Sequence, residues 1–200
     1  MPSASRRLDS VCVYCASSNA ADPEFLAAAS ELGATLAREG LRLVYGGGGV
    51  GLMGACAKAA HAGGGRVLGV IPHFLTSQER QLTTVETVVV DSMHQRKMMM
   101  FEAADAFAIL PGAIGTLEEV VELLSWRRLG LHAMPIVFLD IKGFWQPLFA
   151  LFDHILEQRL MPVEFRETWR TVERVEDILP MLRGMPTLAF ATTPGIEEMT

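Results

Sequence analysis

Leu110-Pro111-Gly112-Ala113-Ile114-Gly115-Thr116-Leu117-Glu118-Glu119 is the stretch whose reading decides the fold. An apolar run, 106–110, precedes it and has the composition of a buried strand. An amphipathic helix follows, with Leu117, Val120, Val121 and Leu124 at i, i+3, i+4 and i+7 on one expected buried face. A strand that stops at Pro-Gly and continues as a helix is half a unit of an open α/β sheet, and such sheets hold ligands beyond the carboxyl ends of their strands. The start of the helix offers free N–H groups and the positive end of the dipole, which suits a phosphate. Gly112 and Gly115 permit close approach of the backbone. The same residues also fit a T-x-x-E capping box through Thr116 and Glu119, a local device worth about 1 kcal/mol that implies no chemistry.

Outward from this stretch the strand–turn–helix grammar repeats. The run 11–14 reads as a first strand and leads into Ala16-Ser17-Ser18-Asn19, a polar turn in which Ser17 can meet a ligand. Asp22-Pro23 is a helix start, with Asp as cap and Pro in the first position, and Gly40 closes that helix. The run 41–45 reads as a second strand, and Tyr45-Gly46-Gly47-Gly48-Gly49-Val50-Gly51-Leu52-Met53-Gly54 turns it into a helix over about 52–62. This is again the form of a phosphate cradle. It is not a P-loop, because no Gly-Lys-Ser/Thr follows, and the acidic residue of a dinucleotide fingerprint is absent after the next strand, 67–71. A polar loop over 72–83 carries Glu79. A strand at 85–90 precedes Ser92, which caps a helix carrying Arg96 and Lys97. Cations in the first turns oppose the helix dipole, so an anionic ligand or a partner carboxylate is expected beside them. Further expected elements are a strand over 135–139 and helices over 144–156 and 176–182.

The alternation predicts an α/β protein with a mainly parallel sheet and helices on both faces. Residues 1–200 read as a single domain, with a loose tail over 1–9 and a loose end over 192–200. The chain has a formal net charge of −6, which argues against a nucleic-acid or anionic-membrane binder. Cys12, Cys15 and Cys56 read as small buried residues. In a strand the C-x-x-C spacing of the first two points them to opposite faces, and no second pair completes a zinc site. Neither a signal peptide nor a membrane segment is expected, so a cytoplasmic protein is the default. Apolar groups over 126–132, with Phe144 and Trp145, suggest an interface and at least a homodimer.

Several of these segments resemble one family. The stretch 111–119 is similar to the P-G-G-x-G-T-x-x-E motif of the Lonely Guy proteins, cytokinin riboside 5′-monophosphate phosphoribohydrolases long labelled lysine decarboxylases. Met93-His94-Gln95-Arg96-Lys97 resembles their M-H-E-R-K, and 45–54 resembles their Y-G-G-G-x-x-G-L-M-G. Gly69-Val70-Ile71-Pro72, Trp126 with Leu129-Gly130-Leu131-His132, and Gly143-Phe144-Trp145 match in the same order, so the likeness covers roughly 11–182. It implies a Rossmann-like fold, a dimer with sites at or near the interface, and hydrolysis of the N-glycosidic bond of a nucleoside 5′-monophosphate such as AMP or an N6-modified AMP. No cofactor is expected, and no cluster of His, Asp and Cys supports a metal. Arg96 and Glu119 fall on the family's essential positions, and Glu79 on a glutamate near the base or sugar. Two residues depart from the pattern: Ala113 stands for the second glycine of the central motif, and Gln95 for the glutamate of M-H-E-R-K.

Breaking a C1′–N bond builds positive charge on the ribose, so the reaction asks for a carboxylate at the sugar, a positioned water and a fixed phosphate. Glu119 is the expected carboxylate. Arg96 offers a rigid fork and Lys97 a point charge. The phosphate falls to the backbone of Gly112, Ala113, Ile114 and Gly115 with Thr116, joined by Gly47 and Gly48; Leu117 and Glu118 complete the binding motif. A pyridoxal-phosphate decarboxylase would need a lysine for its Schiff base, and none of Lys58, Lys97 and Lys142 has such a setting. The rival reading is a nucleotide sensor or carrier on the same fold, in which Ala113 marks lost catalysis.

Overall fold

A computed structural model describes residues 8–186. Seven parallel strands form one sheet: β1 (Ser10–Tyr14), β2 (Arg42–Tyr45), β3 (Val67–Pro72), β4 (Glu86–Val90), β5 (Phe107–Ile109), β6 (Ile136–Leu139) and β7 (Arg170–Val172), in the order β4-β3-β2-β1-β5-β6-β7. The helices are α1 (Pro23–Arg38), α2 (Gly51–Ala62), α3 (Met93–Glu102), α4 (Ile114–Arg128), α5 (Gln146–Glu157) and α6 (Ile178–Gly184). The predicted α/β, Rossmann-like architecture is therefore the observed one.

The central strands are buried on both faces, which is why they read as continuous apolar runs rather than alternating ones. Side-chain alternation sends Val11, Val13 and Cys15 into the layer of α1, α2 and α6. It sends Cys12 and Tyr14 into the layer of α3, α4 and α5. Cys12 and Cys15 thus face opposite ways, as their strand spacing predicts, and all three thiols are free and buried. Cys12 pairs with Val44 on one side and Phe107 on the other. The chain order reverses between β1 and β5, so the sheet has its topological switch point beyond Tyr14 and Ile109.

Several expectations are corrected. Helix α4 begins at Ile114 with Ala113 as its cap residue, two residues before Thr116, so Thr116 and Glu119 form no capping box. The Pro111-Gly112 turn allows this early start: a Cβ on Gly112 would lie 2.3 Å from the Cβ of Thr116, where the helix folds back over the turn. The buried face of α4 is Thr116, Val120, Leu123, Leu124 and Arg127, whereas Val121 is 46% exposed. Strand β7 was not foreseen, because Arg-Thr-Val is too short and too polar to signal a strand; it exists through its pairing with β6. Trp145 is only 2% exposed, packed edge-on against Phe138 and Phe144, and is a core residue rather than an interface residue. Helices α5 and α6 each start two residues later than predicted, behind the short turns Ile141–Gly143 and Val175–Asp177. Of the predicted loose tail, 1–7 lie outside the described residues, Leu8 is buried and Asp9 N donates to Asp105 Oδ2. The predicted loose end, 192–200, lies outside the described residues. Among the described residues no helix is long and apolar enough to cross a membrane.

Candidate active site

A cavity of about 90 Å³ opens at the switch point. Its walls come from the end of β1 and the turn after it (Tyr14, Cys15, Ala16, Ser17), from Gly46 and Met53, from Glu79, from Met93, Arg96 and Met100 of α3, and from Ala113, Gly115, Thr116 and Glu119 at the head of α4. The structure thus brings together Arg96, Glu119, Glu79, Ser17, Ala113, Gly115 and Thr116. Gly47, Gly48, Gly112, Ile114, Leu117, Glu118 and Lys97 stand outside this lining, and Ile114 is 81% exposed.

Arg96 is 5% exposed. Its Nη2 donates to the carbonyl of Gly46 at 2.8 Å and lies 3.5 Å from Glu79 Oε2, while its Nε has no partner. A buried guanidinium with one N–H unanswered retains capacity for an oxygen-rich ligand. Helix α3 is capped independently of Arg96: Ser92 Oγ accepts from Gln95 N, and Gln95 Oε1 accepts from Asp91 N. Gln95 therefore braces the helix start and stands outside the cavity lining. Burial is the largest influence on Glu119 and pushes its carboxyl up to about 7; Arg96 opposes the rise, and Glu118 and Glu79 add to it. Burial also raises Glu79, against the pull of Arg96.

The two helix starts that look alike in sequence differ in the structure. At α2 the first N–H groups already have acceptors: Asn19 Oδ1 takes Gly51 N at 2.8 Å, and the carbonyl of Ala16 takes those of Leu52 and Met53. At α4 the cap residue is Ala113, which has no side-chain oxygen, and the first intrahelical bond is Leu117 N to Ala113 O. The earlier N–H groups have no acceptor within their own helix. Of the two, the head of α4 is thus the start whose first N–H groups lack the acceptors that α2 has. Ala113 has φ −95°, so alanine is unstrained where a glycine would otherwise stand.

The glycine run has a different role from the predicted cradle. A Cβ on Gly46 would lie 2.1 Å from Arg96 Nη2, and one on Gly49 would lie 2.3 Å from the carbonyl of Arg80. Gly49 N donates to Glu79 O and Leu82 N donates to Gly47 O. The run is bare so that Arg96 and the 79–82 segment can lie against it. Sequence reasoning missed Asn19, Gly46 and the cavity-facing Met53 and Met93; the only signal was an amide side chain in the turn before a glycine loop.

None of the three lysines lines the cavity. Lys58 Nζ donates to Gly49 O. Lys97 Nζ lies 2.5 Å from Glu118 Oε1 and 2.9 Å from Glu122 Oε2. Lys142 pairs with Asp22 and Glu24.

Residues 53–182 match the family model described as possible lysine decarboxylase. The cytokinin riboside 5′-monophosphate phosphoribohydrolase LOG7 of Arabidopsis thaliana is 43% identical over 153 residues, 76% of this chain and 70% of the relative. The enzyme of that name, LOG, from Oryza sativa subsp. japonica is 41% identical over 161 residues, 80% of this chain and 66% of the relative. Among solved structures, the molybdenum cofactor binding protein of Rippkaea orientalis superposes with a TM-score of 0.66 at 21% identity, covering 87% of this chain and 94% of that one. At that identity the likeness speaks for the fold alone.

Proposed function

The chain belongs to the family described as possible lysine decarboxylases, whose relatives include the Lonely Guy phosphoribohydrolases, and on that premise we propose that it hydrolyses the N-glycosidic bond of a purine, cytokinin-type nucleoside 5′-monophosphate to free base and ribose 5-phosphate. One observation carries the reading: Arg96 and Glu119 line one crevice beside an uncapped helix start at the switch point of the sheet. The head of α4 holds the phosphate. Ionised Glu119 orients a water toward C1′ and balances the positive charge that grows on the ribose. Arg96, anchored on Gly46 O, grips ligand oxygens and keeps Glu119 ionisable near neutral pH. The small crevice suits the ribosyl end of the substrate. The carrier alternative is not favoured, since identities of 41–43% to named hydrolases far exceed the 21% to a cofactor-binding protein. We further read the protein as a cytoplasmic homodimer, in keeping with its free buried thiols and with exposed Ile114, Val121, Leu129 and Leu131 on and just after α4.

The test is chromatography of products after incubation with AMP and with N6-isopentenyl-AMP, with a Glu119→Gln control. Release of base that the control lacks supports the reading, and the ratio of the two rates sets the base preference. Intact nucleotide from both, with saturable binding, would overturn hydrolysis in favour of a binding protein.

A further inference from the structure

Lys97 was expected to touch the substrate, but it lies outside the cavity lining, held by two carboxylates of a neighbouring helix. Glu118 and Glu122 sit four residues apart on α4, a spacing at which like charges repel unless a cation lies between them. Lys97 supplies that cation, and its side chain is far more buried than those of its partners. The three residues are neighbours in sequence or on the helix surface of the two site residues: Lys97 follows Arg96, and Glu118 precedes Glu119. We propose that Lys97 is a positioning residue, whose bridge to Glu118 and Glu122 clamps α3 against α4 and so sets the placement of Arg96 relative to Glu119.

The inference rests on the reading of Arg96 and Glu119 as the reacting pair. A surface ion pair adds little to stability, so the effect of this clamp lies in geometry. Misplacement by about 1 Å of a group in a reacting constellation lowers rate by about 100-fold. The clamp also sets charge at the site. Glu119 faces Arg96 from α3, Glu79 from the loop after β3 and Tyr14 from β1, together with Glu118 on its own helix; Lys97 offsets the effect of Glu118.

The test compares the wild-type chain with Lys97→Met, Lys97→Arg, Glu118→Gln/Glu122→Gln and the triple variant. It measures kcat and KM on AMP and N6-isopentenyl-AMP, with 13C NMR titration of the Glu119 carboxyl. In Lys97→Met, kcat falls about 10- to 100-fold while KM stays within about threefold. Lys97→Arg retains most of the rate. The glutamine pair reproduces the loss, and the triple variant is no worse than either, because all remove one unit. Glu119 titrates higher in Lys97→Met than in wild type. A rise in KM at unchanged kcat would overturn the proposal and make Lys97 a phosphate ligand. Unchanged kcat and KM, or additive losses, would overturn it too. Absence of turnover by the wild type would refute the hydrolase reading instead; the 15N–1H resonance of Arg96 Nε then decides the clamp, and one unmoved between wild type, Lys97→Met and the glutamine pair overturns it.

Discussion

Replacing Glu119 with glutamine isolates the cost of charging a carboxyl in this crevice. Desolvation dominates at Glu119, the attraction of Arg96 only partly offsets it, and the carboxyl titrates at about 7. In the unfolded chain a glutamate titrates at about 4.3. The folded state therefore holds the proton more tightly, and the stability linked to this group is fully present below about pH 4.3 and lost as the pH rises through about 7. One pKa unit corresponds to about 1.4 kcal/mol, so an ionised Glu119 costs the fold at most about 4 kcal/mol at pH 8, an upper bound because the cavity is open to water. Glutamine carries no charge at any of these pH values. Glu119→Gln should melt within about 2 °C of the wild type at pH 5 and about 8 °C above it at pH 8. The assay is thermal unfolding followed by circular dichroism from pH 5 to pH 8. A melting difference that does not change with pH would refute the claim that burial raises this carboxyl. The kinetic counterpart is a wild-type kcat/KM that climbs with pH through about 7 as the carboxylate forms, and a loss of about 100- to 10,000-fold in the variant.

Other substitutions separate binding from stability. A Cβ on Gly115 meets nothing within 4 Å, so Gly115→Ala should stabilise the helix by about 0.5–1 kcal/mol yet weaken AMP binding about tenfold by crowding the N–H groups; calorimetric affinity equal to wild type would remove the phosphate from the head of α4. Gly49→Ala would drive a methyl against the carbonyl of Arg80 and displace Glu79, lowering kcat/KM about tenfold or more; full activity would mean that the placement of Glu79 is immaterial. Asn19→Ala removes the acceptor of Gly51 N, costing about 1 kcal/mol and about 3 °C in melting temperature, with KM for the nucleotide unchanged; a selective loss of binding would return α2 to the phosphate site.

The order of strands and helices was legible because the central strands are largely apolar runs and β2, β3 and β5 run into glycine or proline. The residues proposed to react were legible in part. Arg96 stands where a cation opposes the helix dipole, and Glu119 follows a turn at a strand end, but their roles came from the likeness of several motifs in fixed order. Less was legible where local rules gave two answers. Thr116 and Glu119 satisfy a capping pattern, yet the helix begins earlier because Gly112 lets the chain fold back over Thr116. Trp145 looked like an interface residue, because an aromatic residue beside Phe144 gives no local sign of which side meets the core.

The sequence alone determined the class of fold and the burial of its three cysteines, since these follow from periodicity, residue type and spacing; it marked Arg96 and Glu119 as candidates through the likeness of their motifs. Tertiary structure decided which of two similar helix starts is free to take an anion, because the acceptor at α2 comes from Asn19, 32 positions away. It also decided that the glycine run makes room for Arg96 and the 79–82 segment, and that Lys97 serves carboxylates on another helix. Each of these depends on contacts between segments far apart in the chain, and no local spacing records which of them meet.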